Sequence, residues 1–138
     1  MAKETSNLRL FNPAALSKPV GYSHVAEVRG GRLVFISGQV PLDSEGNLVG
    51  PGDFGAQAEQ VFKNLESALE AAGADFRAVL KFGFFVRDIS QLAVVREIRD
   101  RYLNTDAPPA STAVEVSSLY REDILIEVDA VAVVAEQQ

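Results

Sequence analysis

Cysteine is absent from the 138 residues, and so is tryptophan. Without thiols there can be no disulfide, no thiolate metal site and no cysteine nucleophile. His24 is the only histidine, which also removes any zinc or iron centre built on several imidazoles. No apolar run reaches the ~18 residues that a membrane helix requires. The opening MAKETSNLRL lacks the apolar core of a secretory leader, so a cytoplasmic location without a membrane partner is expected. Positive charge is short as well: 13 Lys and Arg stand against 19 Asp and Glu, a formal net charge of −6. The basic residues are scattered, and such a balance repels a phosphate backbone, so no nucleic-acid partner is expected.

What is present suits one folded domain over 1–138. At 47% hydrophobic and 23% charged residues, the chain can bury a core. Residues 1–6 are polar and expected to be disordered. A short strand is predicted at 8–11, before the Asn12-Pro13 turn. Segments 25–28 and 33–37 flank Gly30-Gly31 and predict a hairpin. PLDSEGNLVGPG, within 40–55, reads as a loop whose glycines lack phosphate-loop spacing. From Asp53 the period becomes helical, with Ala58, Val61, Phe62, Leu65, Leu69 and Ala72 at three- and four-residue steps and Gly73 as the stop. A strand at 79–86, a second helix over 89–103 with Leu92, Val95, Ile98 and Tyr102 inward, and strands at 111–116 and 124–134 complete the chain. The order predicts an α+β fold, a mixed sheet with both helices packed on one face.

The last strand, ILIEVDAVAVV, carries Glu127 and Asp129 among β-branched residues with no base beside them. Alternation puts both on one face. A carboxylate among apolar groups is costly unless hydrogen-bonded, so this face is either a solvated edge or a site or interface. Val114, Val116 and the closing strand are apolar on both sides, which implies an oligomer whose sheets face one another.

Five segments together carry a resemblance: VFISGQVPLD at 34–43, AQAEQVFKNLESALEAAGA at 56–74, FFVRDIS at 84–90, PPASTAVEVSSL at 108–119 and LIEVDAVAV at 125–133. Over about 21–134 the chain resembles the YjgF/RidA family, named for reactive intermediate deaminase. The resemblance implies a chorismate-mutase-like fold, a homotrimer and ligand clefts at the subunit interfaces. It further implies hydrolysis of imines or enamines to ammonia and a 2-oxo acid, with no metal and no cofactor.

The pattern also departs from the family. The family's carboxylate-gripping arginine falls on Ser111, a frequent cysteine on Ala113 and a cleft tyrosine on His24. A hydroxyl offers one neutral donor where a guanidinium offers a charged fork, so weak turnover of 2-aminoacrylate is expected. Ser37, Gly38 and Glu127 persist. Arg96 takes the place of an asparagine that faces the ligand in relatives, and reads either as a replacement clamp or as a surface arginine paired with Glu97 or Asp100. Glu127 and His24 are the candidate catalytic groups, His24 being a side chain that exchanges protons near neutrality. Ser37, Gly38, Arg96, Ser111 and Thr112 are the candidate ligand contacts. A small polar or acidic metabolite is the expected ligand. A non-catalytic binding or regulatory trimer remains the alternative, and endoribonuclease activity conflicts with the acidic charge.

Overall fold

The computed structural model describes residues 3–4 and 7–136. Its helices are α1 (Phe54–Ala71) and α2 (Leu92–Arg99). Its strands are β1 (Lys3–Glu4), β2 (Leu8–Phe11), β3 (Val25–Val28), β4 (Arg32–Gln39), β5 (Val79–Val86), β6 (Ala110–Glu115) and β7 (Ile126–Val134). β1, β2 and β3 form a small antiparallel sheet. The main sheet runs β4-β7-β5-β6, with β5 and β6 parallel and the other pairs antiparallel. Both helices bury against one face of it, giving the expected α+β plan. Lys3–Glu4 pair with Leu10 and Arg9; the rest of the 1–6 segment lies outside the described residues.

α1 forms where the helical period predicts it. Ala58, Val61, Phe62, Leu65 and Leu69 are fully buried on one face, and Asp53 accepts from the Ala56 amide at 3.0 Å as the N-cap. Gly73, at φ +79°, ends the helix, and the Ala74 amide reaches back to the Leu69 carbonyl at 2.8 Å. β7 supplies the other half of the core. Ile126, Val128, Ala130 and Ala132 face the helices, while Glu127, Asp129 and Val131 are half-buried on the opposite face.

Two expectations need correction. Segments 25–28 and 32–39 do not form a hairpin, because β3 pairs with β2 and β4 with β7. Gly30 and Gly31, at φ +71° and +93°, carry the chain from one sheet to the other. The second helix is shorter than predicted. Asp88 caps a 3₁₀ turn over Ile89–Gln91, and α2 ends at Arg99. The Arg101 and Tyr102 amides then bond only three residues back, tightening the chain into a turn.

Gln57 is a buried polar group that the fold uses fully. Its amide nitrogen donates to the carbonyls of Gly50 (3.1 Å) and Asp123 (3.0 Å), and its oxygen accepts from the Leu125 amide (2.8 Å). It thereby ties α1 to the loop before β7. Gln57→Leu strands all three backbone groups and is expected to cost roughly 2–4 kcal/mol, read from urea unfolding.

Tyr102 donates to Glu59 at 2.7 Å and stacks on Phe62. Burial, then the hydrogen bond and charge of Glu59, push its phenol well above the ordinary value. An unfolded phenol ionises near pH 10, so the unfolded state loses its proton first and stability present below that pH is lost above it. Between pH about 10 and 11, Tyr102→Phe should lose stability less steeply than the unaltered protein in the same urea titration.

Candidate functional site

A cleft of about 230 Å³ opens between α2, β6 and the segment 20–22. Register explains which residues of β6 reach it. Ser111 lies opposite Phe82 and Ala113 opposite Phe84, and both phenylalanines bury toward the helices. Ser111 and Ala113 therefore share the helix-side face and line the cleft with Leu92, Val95, Arg96 and Arg99.

The two arginines behave differently. Arg99 is 7% exposed; it donates to the Gly21 carbonyl at 2.6 Å and, through Nε and Nη2, to Asp100 Oδ1 at 3.1 and 2.8 Å. Arg96 is exposed and makes one hydrogen bond, from Nη2 to the Val20 carbonyl at 3.2 Å. Gly21 sits against both guanidiniums at φ +80°. A Cβ there would lie 3.0 Å from Arg96 Nε and 3.2 Å from Arg99 Nη2.

The other face of the sheet holds a second group of residues. Glu127 is opposite Phe85, and Asp129 is opposite Gly83, whose other neighbour is Thr112. Gly38 and Gly83 are glycines for a steric reason: a Cβ at 38 would overlap the Glu127 carboxylate, and one at 83 that of Asp129. Neither carboxylate has a hydrogen-bond or ion-pair partner among the described residues. The same face carries exposed apolar groups, Leu33, Phe35 and Val114, at 54%, 74% and 40%. Ser37 is exposed beside Gly38, where the β4–β7 register slips between Ile36 and Gln39.

One protomer thus separates the candidates into two sets. Arg96 and Ser111 meet in the cleft, whereas Glu127, Gly38, Ser37 and Thr112 belong to the β4 edge and open face. His24 joins neither set. Its Nε2–H donates to the Ser17 carbonyl at 2.6 Å, and its ring meets Tyr22 edge-on. The surface pairing considered for Arg96 is not made, since Asp100 is held by Arg99 and Glu97 lies 3.6 Å from Arg101. Sequence reasoning missed Arg99 and Gly21. The available signal was the three-residue step from Arg96 to Arg99, which stacks both on one helix face.

Comparison with known proteins gives the family and the fold. The family described as Endoribonuclease L-PSP matches residues 13–134. The chain belongs to the Rid (YjgF/RidA) family. Protein DfrA of Myxococcus xanthus is 43% identical over 117 residues, covering 84% of this chain and 88% of that protein. The 2-iminobutanoate/2-iminopropanoate deaminase of Mus musculus is 39% identical over 122 residues, covering 88% and 84%. Among solved structures, the Rid protein YyfB of Yersinia pestis matches with a TM-score of 0.85 at 32% identity, covering 93% of this chain and 99% of its own. Ser111, where the resemblance leads one to expect the family's arginine, lines the cleft together with Arg96.

The glycine between the guanidiniums is a direct test of the cleft's construction. Gly21→Ala forces a side chain into the left-handed region, at ~1–2 kcal/mol, and against both arginines. It should break the Arg99 clip, lowering the unfolding midpoint and speeding amide exchange at 20–23, where the Ser23 amide now bonds the Pro109 carbonyl at 3.1 Å.

Proposed function

We propose that the protein is a homotrimer that binds a small acidic metabolite in clefts between subunits and hydrolyses an imine there. The observation that carries this reading is the Glu127 carboxylate, unpartnered and half-buried over Gly38 at one border of an exposed apolar sheet face. β4 and β6 are the two edges of the main sheet. A ring of three copies whose open sheet faces turn inward toward one another covers Leu33, Phe35 and Val114 and is closed by rotation. It also brings the Glu127 of one copy beside the Ser111 cleft of its neighbour, a pairing that one protomer cannot make because the two lie on opposite faces.

In such a cleft Glu127 acts as general base and then general acid. It takes a proton from a water adding to the imine carbon and returns it to the nitrogen. In the carbinolamine so formed, the acid takes the hydroxyl proton and passes it to the amine as the C–N bond breaks, leaving ammonia and the 2-oxo compound. Ser37 and the Gly38 backbone border this acid, and Thr112 lies in the Asp129 row of the same face. In a single protomer His24 bonds the Ser17 carbonyl through Nε2, apart from Glu127. The mouse relative, named as a 2-iminobutanoate/2-iminopropanoate deaminase, supports this reaction class. Ser111 supports the alternative of a binding or regulatory trimer, because a neutral hydroxyl there leaves β6 without an anion grip. RNA is disfavoured as a ligand by the net charge of −6.

The test combines mass and turnover. Light scattering should give three times the chain mass. Ammonia release from a panel of 2-imino acids, generated in place by an amino-acid oxidase, should be accelerated for at least one of them, with the three-carbon member little above background. Glu127→Gln should lower the acceleration by about 10²-fold without changing the mass. A monomer, or a Gln variant of unreduced activity, overturns the reading; saturable binding with no product from any imine favours the regulatory alternative.

A further inference from the structure

The cleft between α2 and β6 holds two guanidiniums, of which one has no acidic partner among the described residues. A guanidinium carries five N–H groups, and Arg96 uses one, toward the Val20 carbonyl. Arg99, by contrast, spends three of its five N–H groups on the Gly21 carbonyl and on Asp100, which also matches its charge. With Glu97 engaged by Arg101, no carboxylate among the described residues pairs with Arg96. Its position is fixed from below, since Gly21 lies against it and Arg99 anchors the Gly21 carbonyl.

The lining beyond Arg96 is of another kind. Phe84, Leu92, Val95 and Ala113 make an apolar surface, and Ser111 adds a single hydroxyl. A ligand that fits these surroundings has an anionic group at one end, a short hydrocarbon body and one polar atom near the anion. The cleft is about 230 Å³ and open to one side, and the small side chains of Ser111 and Ala113 leave room beside Leu92 and Val95 for a body longer than one methyl group.

We infer that Arg96, positioned by Arg99, is the carboxylate anchor of this cleft, and that the ligand is a 2-imino or 2-oxo acid of about five carbons rather than three. The inference rests on the reading of the cleft as the ligand site and adds the residue and chain length that set its selectivity. Anchoring from α2 leaves the wall at Ser111 free for the imine or carbonyl atom, where a hydroxyl can donate or accept. It also frees the volume that an arginine at 111 and a bulkier residue at 113 would occupy.

Binding of 2-oxo acids, the stable analogues of the imines, tests this by calorimetry on the full chain. Pyruvate, 2-oxobutanoate, 2-oxopentanoate and 4-methyl-2-oxopentanoate form the series, with the amide of the last as the uncharged control. Affinity should rise from three carbons to five, and the amide should bind at least about tenfold more weakly than its acid. Arg96→Met should weaken the acids at least about tenfold and leave the amide unchanged. Arg96→Lys, which keeps the charge but loses the fork, should fall between. Unchanged mass and unfolding midpoint establish that these variants are folded. Acids that bind Arg96→Met as tightly as the unaltered protein, while Glu127-dependent turnover persists, overturn the anchor and leave the proposed activity standing. Tightest binding for pyruvate overturns the size argument, and no binding of any acid together with no turnover of any imine overturns the cleft as a ligand site.

Discussion

Period-two alternation along β7 ties the stability of the fold to the placement of its acids, because the same nine residues supply both. Ile126, Val128, Ala130 and Ala132 are among the most deeply buried groups in the molecule and meet α1 across the sheet. A shift of one residue in the register would send Glu127 and Asp129 into that core. An unpaired carboxylate there costs several kcal/mol, so the register is strongly specified. The acids are thus held on the open face by the apolar residues between them. Gly38 and Gly83 then let them lie close against the sheet instead of standing away from it.

The opposite face depends on a second constraint, the buried Arg99 guanidinium. Burying a charge is tolerable only when it is paired, and here Asp100 pairs it while the Gly21 carbonyl accepts a further N–H. The consequence is geometric. Segment 20–22 has no strand partner of its own, and the Arg99 clip, with the Ser23–Pro109 backbone bond, makes it a cleft wall. A lysine could not do this, because its single nitrogen cannot span two acceptors in fixed directions. The clip also leaves Arg96 as the cation without a carboxylate, although both arginines belong to the same two turns of helix.

Much of the fold was legible in the sequence because α1, β5 and β7 each carry one unambiguous period. The hairpin expected around Gly30-Gly31 failed for a reason that local pattern cannot show. Two glycines at positive φ serve equally well to reverse a chain or to pass it between sheets, and the choice is made by β2, more than a dozen residues earlier. The predicted length of the second helix failed similarly, since Arg101 and Tyr102 fit the helical period but leave the helix for contacts with Glu59. Of the site, Glu127 was legible as an acid in an apolar run and Ser111 as a departure from the family pattern. That they occupy opposite faces was not legible, because it depends on β6 running parallel to β5 with Ser111 beside Phe82.

The separation of faces makes the assembly and the chemistry one problem. Covering the open face removes Leu33, Phe35 and Val114 from water, and a side chain such as Phe35 contributes about 1.5–3 kcal/mol when fully buried. The same closure withdraws water from Glu127, whose charged form then needs a new hydrogen-bond donor. A donor from the neighbouring copy would hold the carboxylate in place, whereas a trapped water would be the nucleophile that imine hydrolysis requires. Apolar burial around the edges therefore sets the solvation of the acid. In the proposed trimer Phe35, although it touches no reacting group, would help decide how much water reaches that face.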